Sequence, residues 1–249
     1  MDSNLIGKWA LVTGASRGIG AAIAHRLAAE GVNLALHYRS HRTGIEEVEK
    51  TCSKAGVETM VFQADLSEPS EAAKLADSIL DRDLSIQILV NNAGLSQAAP
   101  LWSFKGEDWN RIQNVNLESP RVLIQKLLPT MLRGRWGRII NLSSVLSTWG
   151  GRGNSAYCVS KAGINGLTRA VALEVGRKGI TANAIAPGLV ETDMAAEMGD
   201  EMMKQIISRT PLNRAAKGEE IAEAVVFLCR CGYVTGEVLY IDGGLRQSF

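Results

Sequence analysis

Histidine, cysteine and proline are scarce in this chain, with three, four and six copies among 249 residues. The cysteines, Cys52, Cys158, Cys229 and Cys231, show no paired CxxC metal spacing and are too few for a disulfide scaffold. Charge of one sign is also lacking: 27 Lys plus Arg face 26 Asp plus Glu, a net charge of +1 that gives no global field for nucleic acid or a membrane. No apolar run approaches the roughly 18 residues of a membrane-spanning helix. Met1-Asp2-Ser3-Asn4 has neither the basic region nor the apolar core of a secretory leader, so a cytoplasmic location is expected.

What is present is ordinary globular composition, 46% hydrophobic and 21% charged. Short apolar runs alternate with longer helical patterns. Strands are predicted at 9–13, 33–37, 59–63, 86–91, 138–142, 181–186 and 238–241, with amphipathic segments at 19–29, 45–54, 70–80 and 162–175. Thr43 with Glu46 has the capping-box pattern, and Ser67 followed by Pro69 marks another helix start. Strand alternating with helix implies right-handed crossovers: one doubly wound α/β domain of Rossmann type, with a seven-stranded parallel sheet and helices on both faces. Ligands in such sheets sit at the carboxyl ends of the strands.

The first strand runs into Thr13-Gly14-Ala15-Ser16-Arg17-Gly18-Ile19-Gly20 and then a helix. Glycines there allow a tight turn and close approach of a pyrophosphate to a helix N-terminus; they serve turns and helix packing equally well. Gly14-x-Ser16-x-Gly18 also matches the nucleophile elbow of α/β-hydrolases. That chemistry needs a late histidine, and His25, His37 and His41 all come early. After the second strand comes Tyr38-Arg39-Ser40-His41-Arg42, without the acid that accepts from a ribose 2′-hydroxyl. Guanidinium groups bind a 2′-phosphate, so Arg39, assisted by Arg17, favours NADP(H).

Tyr157 and Lys161 stand one helical turn apart, and a neighbouring ammonium should lower the phenol pKa and make Tyr157 a proton donor. Ser143 and Ser144 follow the fifth strand, Asn91-Asn92-Ala93-Gly94 ends the fourth, and Asn116 lies in the segment after it. Singly each suits a turn or a cap. In this order and spacing, with Asp65-Leu66 and Pro187-Gly188-x3-Thr192, they make the chain resemble the short-chain dehydrogenase/reductases over essentially its whole length.

The resemblance implies a role for each position. Tyr157 would protonate a carbonyl oxygen, Lys161 would lower its pKa and bind the nicotinamide ribose, Ser144 would orient the carbonyl, and Asn116 would hold a water linking Lys161 to solvent. Gly14, Ser16, Arg17, Gly18, Ile19 and Gly20 would cradle the phosphates, Asp65 and Leu66 would meet the adenine, and Asn92, Ala93 and Gly94 the adenosine ribose region. Pro187, Gly188, Val190 and Thr192 would meet the carboxamide side of the nicotinamide. No metal is needed, and no ligand cluster for one is visible. It also implies a cofactor half at about 1–145, a catalytic and substrate half at about 138–249, and a homotetramer.

Within the family the chain most resembles 3-oxoacyl-[acyl-carrier-protein] reductases, through Ala15 to Gly20, Ala186 to Met194 and Thr235 to Val238. The implied substrate is a 3-oxoacyl thioester of fatty-acid synthesis; a general small ketone or secondary alcohol is the alternative, and an NADP(H)-binding sensor without turnover a remoter one. Acyl carrier protein is acidic, and Arg133, Arg135, Arg138, Arg177 and Lys178 could form a basic rim for it or an ordinary solvated surface. Leu95-Ser96-Gln97-Ala98 and Gly153-Asn154-Ser155-Ala156 depart from those reductases beside the cleft. Trp149 could wall the cleft or pack under its loop. Met194, Met198 and Met202, at i, i+4 spacing, suggest one apolar helical stripe covering the substrate. The cofactor argument has a direct check: Arg39→Ala should weaken NADPH binding far more than NADH binding, and an equal loss of both would remove it.

Overall fold

The structure, a computed structural model, describes residues 4–196 and 198–248. Met1, Asp2 and Ser3, on which the leader reading rests, lie outside the described residues. Seven strands form one parallel sheet in the order β3-β2-β1-β4-β5-β6-β7. They are β1 (Trp9–Val12), β2 (Asn33–Tyr38), β3 (Thr59–Gln63), β4 (Ile86–Asn91), β5 (Gly137–Leu142), β6 (Ile180–Pro187) and β7 (Val238–Ile241). Every residue of β5 and β6 is buried, as strands covered on both faces must be.

One face is covered by α1 (Gly18–Ala29), α2 (Arg42–Lys54) and α10 (Gly218–Arg230). The other is covered by α3 (Pro69–Leu80), α5 (Ser119–Gly134) and α7 (Ser155–Val175). Leu11 packs into the second layer, whereas Leu34 and Leu36 pack into the first, following the two-residue period of a strand. The order reverses between β1 and β4, and the crevice opens there, beyond the carboxyl ends of the strands.

The helix starts differ in part from their sequence signals. Pro69 does open α3, with Asp65 Oδ1 accepting from Ser67 N at 3.0 Å just before it. The Thr43–Glu46 box does not form: α2 begins at Arg42, and Glu46 instead takes Arg42 Nε at 2.8 Å. A long flexible cation one turn away outcompetes the backbone N–H for that carboxylate. α7 begins at Ser155 rather than 162, so Tyr157 and Lys161 share its first turns.

The basic rim is also corrected. Arg133 and Arg135 precede β5, and Arg177 and Lys178 precede β6. In a parallel sheet all strands begin at one edge, so within the chain these cations lie at the amino edge, opposite the crevice. Arg138 is 4% exposed: its Nε donates to Cys229 O at 2.8 Å, at the end of α10, and its guanidinium lies 4.3 Å from the Trp136 ring centroid.

Candidate active site

A cleft of about 880 Å³ runs along the carboxyl edge and is lined from the loops after all seven strands. Gly14, Ser16, Arg17, Gly18, Ile19 and Gly20 form one wall after β1. Thr13 Oγ1 accepts from Asn92 N and Ala93 N at 3.0 and 2.9 Å, while Asn92 Nδ2 donates to Thr13 O and Gly14 O at 2.8 and 3.2 Å. A Cβ at position 20 would stand 2.2 Å from Gly14 O, so only glycine lets α1 approach its own turn this closely. No side chain caps the first turn of α1, which leaves an anion-binding helix end beside the cleft.

His37, which the sequence reading used only to reject hydrolase chemistry, supports the turn from β2. Its Nδ1 accepts from Gly14 N at 3.1 Å, so Nε2 carries the proton toward Ala64 O at 3.1 Å. Burial pushes its pKa down to about 4, and the ring stays neutral. The available signal was its place on a strand directly beneath a glycine turn.

Arg39 lines the cleft after β2, and Asp65 and Leu66 line it after β3. Burial acts to raise the Asp65 carboxyl, but hydrogen bonds from Ser67 and the nearby Arg39 charge hold it below the usual range. Arg17 donates to Asp193 at 2.8 Å, across the cleft mouth. Ala93 and Gly94 follow β4; Pro187 ends β6, Gly188, Val190 and Thr192 follow it, and all line the cleft.

Ser144, Tyr157 and Lys161 meet at the floor. Of the two serine hydroxyls, Ser144 is the one that acts on the Tyr157 phenol, drawing its pKa down, whereas the Ser143 hydroxyl donates to Lys161 O at 3.3 Å. Lys161 Nζ donates to Leu142 O at 2.6 Å and lies 5.6 Å from the Tyr157 ring centroid. The expected lowering of the phenol pKa by this ammonium is not what the chain alone produces: burial raises it, opposed by the Ser144 hydrogen bond. Lys161 is 3% exposed, and burial pushes its pKa down to about 8.

Asn116 does not line the cleft. It is buried in a π-helical segment, Asn114–Glu118, between α4 (Gly106–Gln113) and α5. Its Oδ1 accepts from Leu95 N at 2.8 Å, and its Nδ2 donates to Leu95 O at 2.9 Å and Ser160 Oγ at 3.0 Å. Both Asn116 Oδ1 and Lys161 Nζ lie 3.7 Å from where a Cβ of Gly94 would stand.

Two residues beyond Ser144 on the same loop, Leu146 begins the single turn α6 (Leu146–Trp149), and both Leu146 and Trp149 line the cleft. Met194, Met198 and Met202 line it too, but not from one helix. Gly199, at φ +82°, separates α8 (Asp193–Ala196) from α9 (Asp200–Arg209). That non-helical backbone suits glycine and ends the expected stripe. Among the described residues, no group of three or more His, Cys, Asp or Glu could hold a metal ion, and no helix is long and apolar enough to cross a membrane.

The doubly wound fold and this constellation define an NAD(P)-dependent oxidoreductase. A family model described as enoyl-(acyl carrier protein) reductase matches residues 14–246. The chain is 39% identical over 240 residues to the Staphylococcus aureus 3-oxoacyl-[acyl-carrier-protein] reductase FabG, covering 96% of this chain and 98% of that protein. It is 39% identical over 247 residues to the Pseudomonas aeruginosa FabG, covering 98% and 100%. Among solved structures, a blue fluorescent protein from a metagenomic library in complex with NADPH superposes with a TM-score of 0.92 at 36% identity, over 97% of this chain and 99% of that one. A Serratia marcescens short-chain dehydrogenase/reductase gives 0.91 at 34%, over 98% and 99%. The chain belongs to the short-chain dehydrogenase/reductase family.

Lys161 supplies a pH-dependent test. Its folded pKa of about 8 lies below the ordinary 10.5, so stability is lost as pH falls from the upper value through the lower, where the folded state must hold a buried charge. Lys161→Met carries no such penalty. Its gain in stability over wild type should be larger at pH 7 than at pH 9.5, by on the order of 2 kcal/mol. Urea midpoints of the ligand-free proteins at the two pH values measure this; a gap independent of pH would show that Lys161 is not desolvated.

Proposed function

We propose that the protein is an NADPH-dependent reductase of ketone groups, acting on a 3-oxoacyl thioester, with acyl carrier protein as the carrier. The observation that carries the reading is the half-buried Tyr157 phenol, with Ser144 and Lys161 beside it, at the floor of a cleft entered past an uncapped helix N-terminus. The full-length likeness to curated 3-oxoacyl reductases supports the substrate class.

The residues present fit the dinucleotide. The α1 end offers unpaired N–H groups to its pyrophosphate, the glycine turn leaves no side chain in the way, and Arg39 stands where a 2′-phosphate would be recognised, with Arg17 to assist. Asp65 and Leu66 would face the adenine, Asn92, Ala93 and Gly94 the adenosine ribose region, and Pro187, Gly188, Val190 and Thr192 the nicotinamide carboxamide. Because Asn92 Nδ2 is committed to the glycine turn, its contribution there is mainly to hold that wall in place.

NADPH, when bound, supplies the hydride. Ser144 orients the carbonyl by donating to its oxygen, and Tyr157 gives the phenolic proton to that oxygen as negative charge develops. Lys161, charged at neutral pH, stabilises the phenolate left behind and binds the nicotinamide ribose. Asn116 completes a proton path to solvent through a water; since its side chain already serves Leu95 and Ser160, the backbone carbonyl in the π-helical segment is the group left for that water.

On this reading, residues 1–249 form a single cytoplasmic domain working as a homotetramer, with no nucleic-acid or membrane partner. The outward face of α7 supports assembly: Ala162, Gly166 and Ala170 lie on it, and Val159 and Leu173 are exposed. Two other small residues of this helix face inward, Gly163 against Leu117 and Ala172 into the core.

NADPH oxidation should be rapid with acetoacetyl-CoA and slow with ketones lacking a thioester, while crotonyl-CoA, which offers a double bond instead, stays unreduced. Tyr157→Phe should bind NADPH yet lose at least about a hundredfold in turnover; unimpaired turnover would refute the mechanism, and turnover of free ketones alone would remove the thioester. Sedimentation at micromolar concentration should give a tetramer, and a monomer would end the assembly reading.

A further inference from the structure

The α6 turn divides its four side chains between two jobs. Leu146 and Trp149, three residues apart, line the cleft, while Ser147 and Thr148 do not. Each of the latter is held from outside the turn. Asn165 Nδ2 donates to Ser147 Oγ at 2.9 Å, and the hydroxyls of Thr148 and Tyr240 lie 2.6 Å apart. A four-residue turn has no helical stability of its own, so its position is set by what grips it.

The two holders are themselves fixed. Asn165 is 6% exposed on α7, four residues beyond Lys161 and eight beyond Tyr157, so one helix stripe carries the proton donor, the lysine and this anchor. Its Oδ1 is buried without a hydrogen-bond partner. Leucine would fill a similar volume without that cost, so the use of an amide here is its donation to Ser147. Tyr240 sits on β7 with the Arg246 guanidinium 3.9 Å from its ring centroid, and Arg246 N donates to Asp242 Oδ2 at 2.9 Å. Neither Asn165 nor Tyr240 lines the cleft.

We propose that Asn165 and Tyr240 are positioning residues for substrate selectivity: by gripping Ser147 and Thr148 they fix the Leu146–Trp149 wall, and thereby the size and shape of ketone admitted beside Ser144 and Tyr157. The proposal rests on the ketone-reductase reading above. It places the grip on the substrate side alone, since Leu146 and Trp149 lie on the loop after β5 and the glycine wall on the loop after β1.

The test compares Asn165→Leu, Tyr240→Phe, Thr148→Val and Thr148→Ser with wild type. For each, kcat and KM are measured for acetoacetyl-CoA, for ethyl acetoacetate and for NADPH, and hydrogen exchange is followed at the amides of Ser147 to Gly150. Asn165→Leu and Tyr240→Phe should each change the ratio of kcat/KM for the two ketones by about fivefold, through KM, and leave KM for NADPH unchanged. Exchange in the turn should quicken in both. Thr148→Val should reproduce Tyr240→Phe with no further change in the double variant, and Thr148→Ser, which keeps the hydroxyl, should behave as wild type. Unchanged exchange in both holders would overturn the grip, and quickened exchange with an unchanged ketone ratio would overturn its role in selectivity. Wild-type protein that reduces neither ketone would sink the ketone reading, and the selectivity proposal with it, whatever the exchange shows.

Discussion

Where β1 and β4 part, Thr13 and Asn92 exchange hydrogen bonds through side chain and backbone, and the rest of the site is hung from that junction. It closes the floor of the crevice at the one place where the sheet order reverses. On one side it fixes the glycine turn, with His37 as a neutral prop beneath. On the other, the chain continues through Gly94 to Leu95, which Asn116 grips at both N and O. Asn116 also reaches Ser160, whose hydroxyl donates to Tyr157 O at 2.7 Å. These hydrogen bonds, joined by the backbone from Asn92 to Leu95, link the glycine turn to the helix bearing Tyr157, and a site built this way holds its groups in place before any ligand arrives.

The electrostatics follow from burial without neutralisation. Burial raises the Tyr157 phenol from its ordinary 10.0 and lowers the Lys161 ammonium from 10.5 to about 8, which draws their proton affinities apart, so the phenol keeps its proton more firmly than the ammonium beside it. The Leu142 carbonyl holds the ammonium in place. The cost is carried by the surrounding sheet, whose central strands are buried throughout.

The wall that carries Leu146, Trp149 and the methionines is built differently. It consists of short elements, α6 of four residues and α8 of four, with α9 set off by Gly199. Such pieces take their positions from tertiary ties, and their apolar residues Leu146, Trp149, Met194, Met198 and Met202 present adaptable surface. The glycine turn, tied by Thr13, Asn92 and His37, thus lines the same cleft as short elements held by tertiary ties.

Much of this was legible in the chain. The short apolar runs placed β3, β4 and β7 to the residue, because each is bounded by polar or turn-forming residues that end the strand, whether it is a half-exposed edge strand as β3 and β7 are or a buried central one as β4 is. Local spacing likewise marked Gly14 to Gly20, Tyr157 and Lys161, since a turn and one helical repeat are short-range geometry, while the choice of Ser144 over Ser143 came from the family resemblance. What depended on residues far apart was hidden. The prop at His37, the grip of Asn116 on Leu95, Arg138 turned inward onto Cys229 O, the basic residues at the wrong edge, and the Asn165 and Tyr240 ties are facts of three-dimensional proximity. Even the direction of the Tyr157 pKa belongs to this group, because spacing brings a lysine near but only packing decides how much water is removed. The sequence by itself determined the order of strands and helices and the chemical groups available. The tertiary structure alone decided which groups meet, which are desolvated and which edge each faces, because those depend on contacts across the sheet that no local pattern encodes.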